Sequence, residues 1–312
     1  MLFLSKSDIS GLVSMDETIE VVEKAFLMHA QGKSVYPPKT QFILPTEEWR
    51  WWGFMPCYVA GVGLACKIVS EYPENKERGR PTIIASIVLC DEETGEVKAF
   101  MDGSYLTAVR TGALGAIGAK YLAREDAKNV GIIGSGVQAR TQLEGLTKVC
   151  DIEKVKIYDL NESAMDKFGS EMQEKLGIEI ERSNADDVLG CDIVVAATFS
   201  KTPVVFGKNI KIGTHVTSIG AHTPDARELD DDFLKKTKVV IDSPDAKKSG
   251  DLKEINGELV EIKDVVAGKK VRTDADDITL FKSVGTALQD VAIASLVYEK
   301  AKERGIGKEI SF

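Results

Sequence analysis

Gly134-Ser135-Gly136-Val137-Gln138-Ala139 is the stretch whose residue types and spacing most directly imply chemistry. It follows a short apolar run, Val130 to Ile133, and precedes a polar–apolar stretch, Arg140 to Val149, that reads as a helix. A second apolar run, Val155 to Tyr158, ends on Asp159. Strand, glycine turn, helix, strand and acid in this order form the pattern of a dinucleotide site. Gly134 permits the tight turn. Gly136 has no Cβ, so a pyrophosphate can come close to the backbone. Ala139 lets helix and strand pack closely, and the helix N-terminus offers N–H groups and a positive dipole end to phosphate. Asp159 lies where it can accept hydrogen bonds from the adenosine ribose and repel a 2′-phosphate, which predicts NAD(H) over NADP(H).

Three further residues have the right chemistry for a small ligand. Lys67 lies in the mostly apolar run Gly63 to Val69, where a lysine either snorkels to the surface or serves a site with a lowered pKa. Arg50 lies in the aromatic-rich stretch Trp49 to Pro56, which holds all three tryptophans. It reads either as a strand-edge arginine or as a carboxylate clamp making two parallel hydrogen bonds. His222 follows the apolar run Thr214 to Ile219, and Thr198 closes the run that begins at Asp192. Both fall just past a strand end, where ligands of open parallel sheets lie. Gly285, at the start of the final helix, is another point of close backbone approach. His29 reads as a helix-face residue.

These residues need elements to hold them. Ile19, Val22, Ala25 and Phe26 lie on one helical stripe, which Ser14 or Asp16 could cap. Strands are predicted at 41–44, 63–69, 83–89 and 97–101, with a charged loop at 73–80. An Ala- and Gly-rich helix runs from Asp102 to Leu122. From Val130 onward short apolar runs alternate with helical stretches, which predicts a parallel sheet covered on both faces. The fold class is therefore α/β: a Rossmann-type doubly wound parallel sheet inserted into a second, α+β domain. The domains are residues 1–120 with 290–312, for substrate and dimerisation, and residues 121–289, for NAD.

Composition narrows the partners. A formal net charge of −9 over 312 residues argues against nucleic acid or an anionic membrane surface. No apolar run approaches the roughly 20 residues that span a bilayer. The first ten residues lack a signal-peptide core, so a cytoplasmic protein is expected. The five cysteines form no C-x-x-C pair, and the three histidines do not cluster, which predicts reduced thiols and no metal site.

Together these residues resemble the ornithine cyclodeaminase/mu-crystallin family, which includes archaeal-type alanine dehydrogenases and ketimine reductases. The matching stretches are Met15-Asp16-Glu17, Arg50 with Met55-Pro56, Lys67, Arg80-Pro81-Thr82, and Met101-Asp102-Gly103 through Arg110-Thr111-Gly112-Ala113. The glycine turn, Ile219-Gly220-Ala221 and Gly285-Thr286-Ala287-Leu288-Gln289-Asp290-Val291-Ala292 complete a match over nearly the whole chain. The resemblance implies a homodimer. It implies a substrate site of Arg50, Lys67, Thr82 and Arg110, and an NAD site completed by Thr111, Thr198 and Gly285. It overrides the packing reading of Arg50 and Lys67. Ornithine cyclodeaminases carry an aspartate in a Gly-Gly-Asp or Gly-Ala-Asp segment, and this chain has Gly220-Ala221-His222, with Asp225 three residues on. The expectation is an alanine dehydrogenase-like enzyme converting L-alanine to pyruvate and ammonia, with Arg110, Lys67 and His222 as catalytic residues. Conversion of L-ornithine to L-proline and ammonia, imine reduction, or ligand binding without turnover are the alternatives.

Overall fold

A computed structural model describes residues 1–256 and 259–311. The chain forms two compact units, residues 1–110 joined by the segment from Thr286, and residues 111–285. β1 (Leu2–Leu4), α1 (Lys6–Ile9) and α2 (Met15–Ala30) open the first unit. β2 (Ser34–Val35), β3 (Thr40–Ile43), β4 (Trp51–Val59), β5 (Gly63–Glu71), β6 (Ile83–Cys90) and β7 (Val97–Asp102) follow. α3 (Gly103–Leu122) carries the chain onward. The second unit contains β8 (Asn129–Ile133), α4 (Val137–Val149), β9 (Lys154–Tyr158), α5 (Glu162–Leu176), β10 (Glu179–Arg182), α6 (Ala185–Leu189) and β11 (Ile193–Ala196). It continues with β12 (His215–Ser218), α7 (Asp231–Leu234), β13 (Thr237–Ile241), β14 (Val260–Glu261), α8 (Ile262–Val266) and β15 (Ile278–Lys282). α9 (Ala287–Arg304) and β16 (Lys308–Glu309) return to the first unit.

The first unit is a mixed sheet in the order β16-β1-β7-β6-β5-β4-β2, with β3 also paired to β4. Only β1 and β7 pair in parallel. In β4 the buried positions alternate, at Gly53, Met55, Cys57 and Val59, as a sheet with one face on a core requires. That core is closed by α2 and α9. Ser14 caps α2 and forms a reciprocal capping box with Glu17, satisfying backbone donors at its start.

The second unit is the expected doubly wound sheet. Its strands run β10-β9-β8-β11-β12-β15-β13-β14, all parallel. The chain starts at β8, moves outward through β9 and β10, then returns to β11 on the other side. Consecutive side chains of one strand enter different cores. Ile132 and Val195 join Leu143, Leu146 and Phe168, whereas Ile133 and Val194 join Leu189, Val216 and Phe233. Both faces are therefore covered, which is why these strands read as unbroken apolar runs rather than alternating ones.

Two boundaries differ from the sequence reading. α4 begins at Val137, directly after its N-cap Gly136, so Val137 and Gln138 belong to the first helical turn and not to the loop. The units divide inside α3, after Arg110, rather than after residue 120. From Gly112 on, the helix packs against the second unit: a Cβ on Gly112 would strike the Thr141 carbonyl, and one on Gly118 would lie 2.6 Å from the Phe281 ring. The charged loop expected at 73–80 contains a 3-10 turn, Pro73–Lys76. All five cysteines are free, two buried and three half-buried. Burial pushes the Cys57 thiol up to about 12 and that of Cys191 to about 11. Among the described residues no helix is long and apolar enough to cross a membrane.

Candidate active site

In the second unit the glycine turn sits at the carboxyl end of β8, where the direction of winding reverses. Gly134 has φ +97° and donates its N–H to Tyr158 O at 2.9 Å. A side chain there would be both strained and blocked by Ala197 O. Gly136 differs: a Cβ on it meets open space. No side chain caps α4 at Gly136. The N–H groups of a helix start, beside a position lacking a Cβ, form a cradle that fits a pyrophosphate. Ala139 is fully buried beneath.

Asp159 follows β9 and reaches the same turn. It accepts from Ser135 N–H at 2.8 Å and from Ser135 Oγ at 2.7 Å, and its other oxygen accepts from Asn161 N–H at 2.9 Å. Arg140 is the first cation after the glycine turn. Its guanidinium is held by Glu171, at 2.8 and 2.6 Å, and by the Ser135 and Gly136 carbonyls.

The ends of β11 and β12 carry Thr198 and His222. The buried Glu228 holds Thr198, accepting its N–H at 2.7 Å and its hydroxyl at 2.9 Å. His222 Nδ1 lies 3.0 Å from Gly220 O. A carbonyl only accepts, so Nδ1 carries the proton and Nε2 is the acceptor nitrogen of the neutral ring. The Phe199 ring meets this imidazole edge-on at 6.2 Å between centroids. Asp225 pairs with Lys201 at 3.1 Å and accepts from Thr223 at 2.8 Å. Gly285 has φ +80°, and its N–H is held by the buried Asp242 at 2.6 Å. Gln142 donates to Thr111 O at 2.8 Å.

In the first unit Lys67 and Arg110 converge on one carboxylate that sequence reasoning did not assign a role, Asp290 on α9. Lys67 is only 1% exposed and its Nζ lies 2.9 and 2.8 Å from the two Asp290 oxygens. Arg110 Nε donates to Asp290 at 3.0 Å, and its Nη1 donates to Gln289 Oε1 at 2.5 Å. That bond fixes the Gln289 amide, and its buried Nε2 has no partner among the described residues. Burial first, and then the nearby Arg110, lower the Lys67 pKa to about 7 against the pull of Asp290. Lys39 also acts on Lys67 as a like charge. Burial alone would raise the Asp290 carboxyl, but Lys67 and Arg110 together hold it below its ordinary value. The signal for Asp290 was present: it is the single charged residue in the start of α9, Ala287 to Val297.

Arg50 is engaged elsewhere. It donates from Nε to Glu74 at 2.5 Å and from Nη2 to Glu48 at 2.7 Å, with its guanidinium 5.5 Å from the centre of the Tyr72 ring. Thr82 lies just before β6, half-buried, and its carbonyl accepts from Tyr72 N–H at 2.8 Å.

Comparison with known proteins gives the family. The ornithine cyclodeaminase/mu-crystallin family profile matches residues 1–305. An alanine dehydrogenase of Archaeoglobus fulgidus is 40% identical over 323 residues, covering 100% of this chain and 98% of that one. The solved Δ1-pyrroline-2-carboxylate reductase of Thermococcus litoralis, in complex with NADH and L-proline, superposes with a TM-score of 0.96 at 45% identity. That match covers 99% of this chain and all of the other. An archaeal alanine dehydrogenase dimer with bound NAD gives a TM-score of 0.93 at 39% identity, covering 100% and 99%. A profile match over nearly the full length, with a full-length relative at 40% identity, means that this chain belongs to the ornithine cyclodeaminase/mu-crystallin family.

Proposed function

We propose that this protein is an NAD(H)-dependent oxidoreductase acting at the Cα–N bond of a small amino or imino acid, like an alanine dehydrogenase. The observation that carries the reading is the buried pair of cations sharing one carboxylate. Lys67 and Arg110 bring two positive groups and Asp290 one negative, so the site accommodates one more anion, the carboxylate of a 2-amino acid. Gln289 Nε2, a buried donor without an acceptor, suits the same oxygen atoms. The Gly134–Gly136 turn and Asp159 would hold NAD, which when bound supplies the hydride acceptor.

The chain's own residues divide the remaining work. Arg110 fixes the carboxylate, and with it Cα. Lys67, with a pKa of about 7, holds or releases a proton at the substrate nitrogen near neutral pH. His222 Nε2 takes a proton from water or the amine. Thr82, Thr111, Thr198 and Gly285 complete the two binding halves. Arg50 joins the carboxylate site only when it exchanges Glu48 or Glu74 for the ligand. An imidazole at His222 carries no negative charge to hold a second ammonium as an aspartate would, so ornithine cyclodeamination is disfavoured. A second reading, reduction of the cyclic imine Δ1-pyrroline-2-carboxylate to L-proline, is supported by the 45% identity to a reductase of that substrate.

We also propose a homodimer. Trp52, Phe54 and Tyr58 on β4, with Ile68 on β5, are only half-buried, and Phe42 on β3 is exposed. The archaeal alanine dehydrogenase is a dimer, which supports a second copy on this apolar face.

One experiment tests the activity. L-Alanine and L-ornithine are supplied with NAD⁺ or NADP⁺, and the cyclic imine with NADH or NADPH, while reduced cofactor, ammonia and proline are followed together. The expected result is NADH and ammonia in equal amounts from L-alanine, or NADH consumption with the imine, and weak use of NADP(H). Proline and ammonia from ornithine with only catalytic NAD⁺ would overturn the dehydrogenase reading.

A further inference from the structure

Glu228 is fully buried in the second unit, and among the described residues no lysine or arginine is hydrogen-bonded to it directly. It lies outside the catalytic set proposed above. Its two oxygens instead gather donors from the ends of two neighbouring strands. Oε1 accepts the Thr198 N–H at 2.7 Å and hydroxyl at 2.9 Å, from the loop after β11. Oε2 accepts the Gly220 N–H at 2.9 Å, the Ala221 N–H at 3.2 Å and the Ser218 hydroxyl at 2.8 Å, from the end of β12. The approach is so close that a Cβ on Gly220 would meet Glu228 Oε1 at 2.5 Å.

Glu228 is itself anchored. Its backbone N–H donates to the buried Asp251 at 2.8 Å. Asp251 also accepts from the buried Lys282 of β15 at 2.6 Å, and Lys282 donates to Ser218 Oγ at 2.8 Å. One carboxylate thus links the carboxyl ends of β11 and β12 through both of its oxygens, and a buried ion pair ties that link to β15.

In a doubly wound sheet the two halves bind the two mononucleotides of a dinucleotide. The adenosine half is β8, β9 and β10, with the glycine turn and Asp159. The ends of β11, β12 and β15 belong to the other half, on the nicotinamide side. We infer that Glu228 is a positioning residue that locks the Thr198 and Gly220–His222 loops together, and so shapes the nicotinamide half of the cofactor site without touching the adenosine half. This rests on the dinucleotide reading given above. His222 follows the clamp directly, because its N–H and its Nδ1 both bond to Gly220 O, at 3.1 and 3.0 Å.

ADP-ribose separates this role from a general structural one, since it carries the adenosine half and lacks nicotinamide. The test measures binding of NADH and of ADP-ribose to the full chain and to Glu228→Gln, together with kcat and KM for the best substrate. An amide offers an N–H where the carboxylate accepts three, so one loop must move. The expected result is NADH binding weakened by about tenfold or more and a lower kcat, with ADP-ribose binding unchanged within about twofold. Glu228→Asp keeps the charge but shortens the reach, and should show the same selective loss. If neither variant folds, Thr198→Val, which removes only the hydroxyl bond, should weaken NADH a few-fold and leave ADP-ribose alone. Equal losses for both ligands, or no loss for either, in the variants that fold would overturn the positioning role. Failure of the unaltered protein to bind ADP-ribose would instead overturn the dinucleotide reading.

Discussion

A lysine with 1% of its surface exposed has lost its hydration, and one shared carboxylate restores only part of it. Lys67 therefore weakens the fold while it equips the site. Its proton is bound less tightly in the folded chain, at about 7, than at the ordinary value of 10.5. The unfolded chain binds more protons between these values, so this group's contribution favours folding increasingly as pH rises from about 7 towards 10.5. Catalysis should follow the same titration. Amino acid oxidation, which needs the neutral amine, should rise through pH of about 7, and imine reduction, which needs the ammonium, should fall. Lys67→Met should reduce turnover by about a hundredfold or more. It leaves Asp290 paired with Arg110, so the melting temperature at neutral pH should hold or rise. Rate profiles over pH together with thermal melts check both parts. A large loss of stability, with a pH profile unchanged in the surviving activity, would remove Lys67 from the chemistry.

Among elements, α3 has the most exacting packing. The motif Arg110-Thr111-Gly112-Ala113 combines two demands: Arg110 binds Asp290, while Gly112 lets the backbone of α3 approach that of α4. A Cβ on Gly145 of α4 would in turn lie 2.6 Å from Gly112 O, so the contact is backbone on backbone from both sides. Gly112→Ala should destabilise by about 1–3 kcal/mol, because neither main chain can yield without moving a helix. Gly169→Ala is the matching control. Gly169 is inside α5, its added Cβ meets open space, and its φ is not positive. There the same substitution should stabilise by about 0.5–1 kcal/mol through helix propensity and a less flexible unfolded chain. Urea titrations of the two variants should give shifts of opposite sign. Equal shifts would show that α3 and α4 are not in close contact.

The molecule as a whole carries an acid-sensitive group outside the proposed chemistry. His215 lies in β12, completely buried, between the hydroxyls of Thr279 at 2.9 Å and Thr217 at 3.1 Å. Burial, reinforced by Arg272, lowers its pKa from 6.5 to about 3. Below pH 6.5 the unfolded chain takes up a proton that the folded chain refuses, so stability falls as pH drops towards 3. The slope from this group alone approaches about 1.4 kcal/mol per pH unit. His215→Asn should flatten the pH dependence of the unfolding free energy between pH 6 and 4.5, the range above most carboxylate titration. An unchanged slope would show that His215 is hydrated or protonated in the folded state.

The local order of the chain was legible because it depends on local physics. The apolar runs, the glycine turn and Asp159 fix a strand–turn–helix–strand unit wherever they occur, and the long strands and helices follow from periodicity. The two-residue strands β2, β14 and β16 were not legible, because pairing with a neighbour makes them and their composition does not. The same limit applies to charge. Lys67 and Lys282 look alike in sequence, each a lysine inside an apolar strand. Both are buried against an aspartate, yet among the described residues only Lys67 has a second cation on the same carboxylate. Asp290 and Glu228 become central only when residues 180 and 223 positions away, in one case, and two strand ends, in the other, bring donors to them. Sequence thus determined which chemical groups the chain owns and the elements that carry them. Tertiary structure decided which charges share a desolvated site, because that depends on distances of about 3 Å between segments remote in sequence.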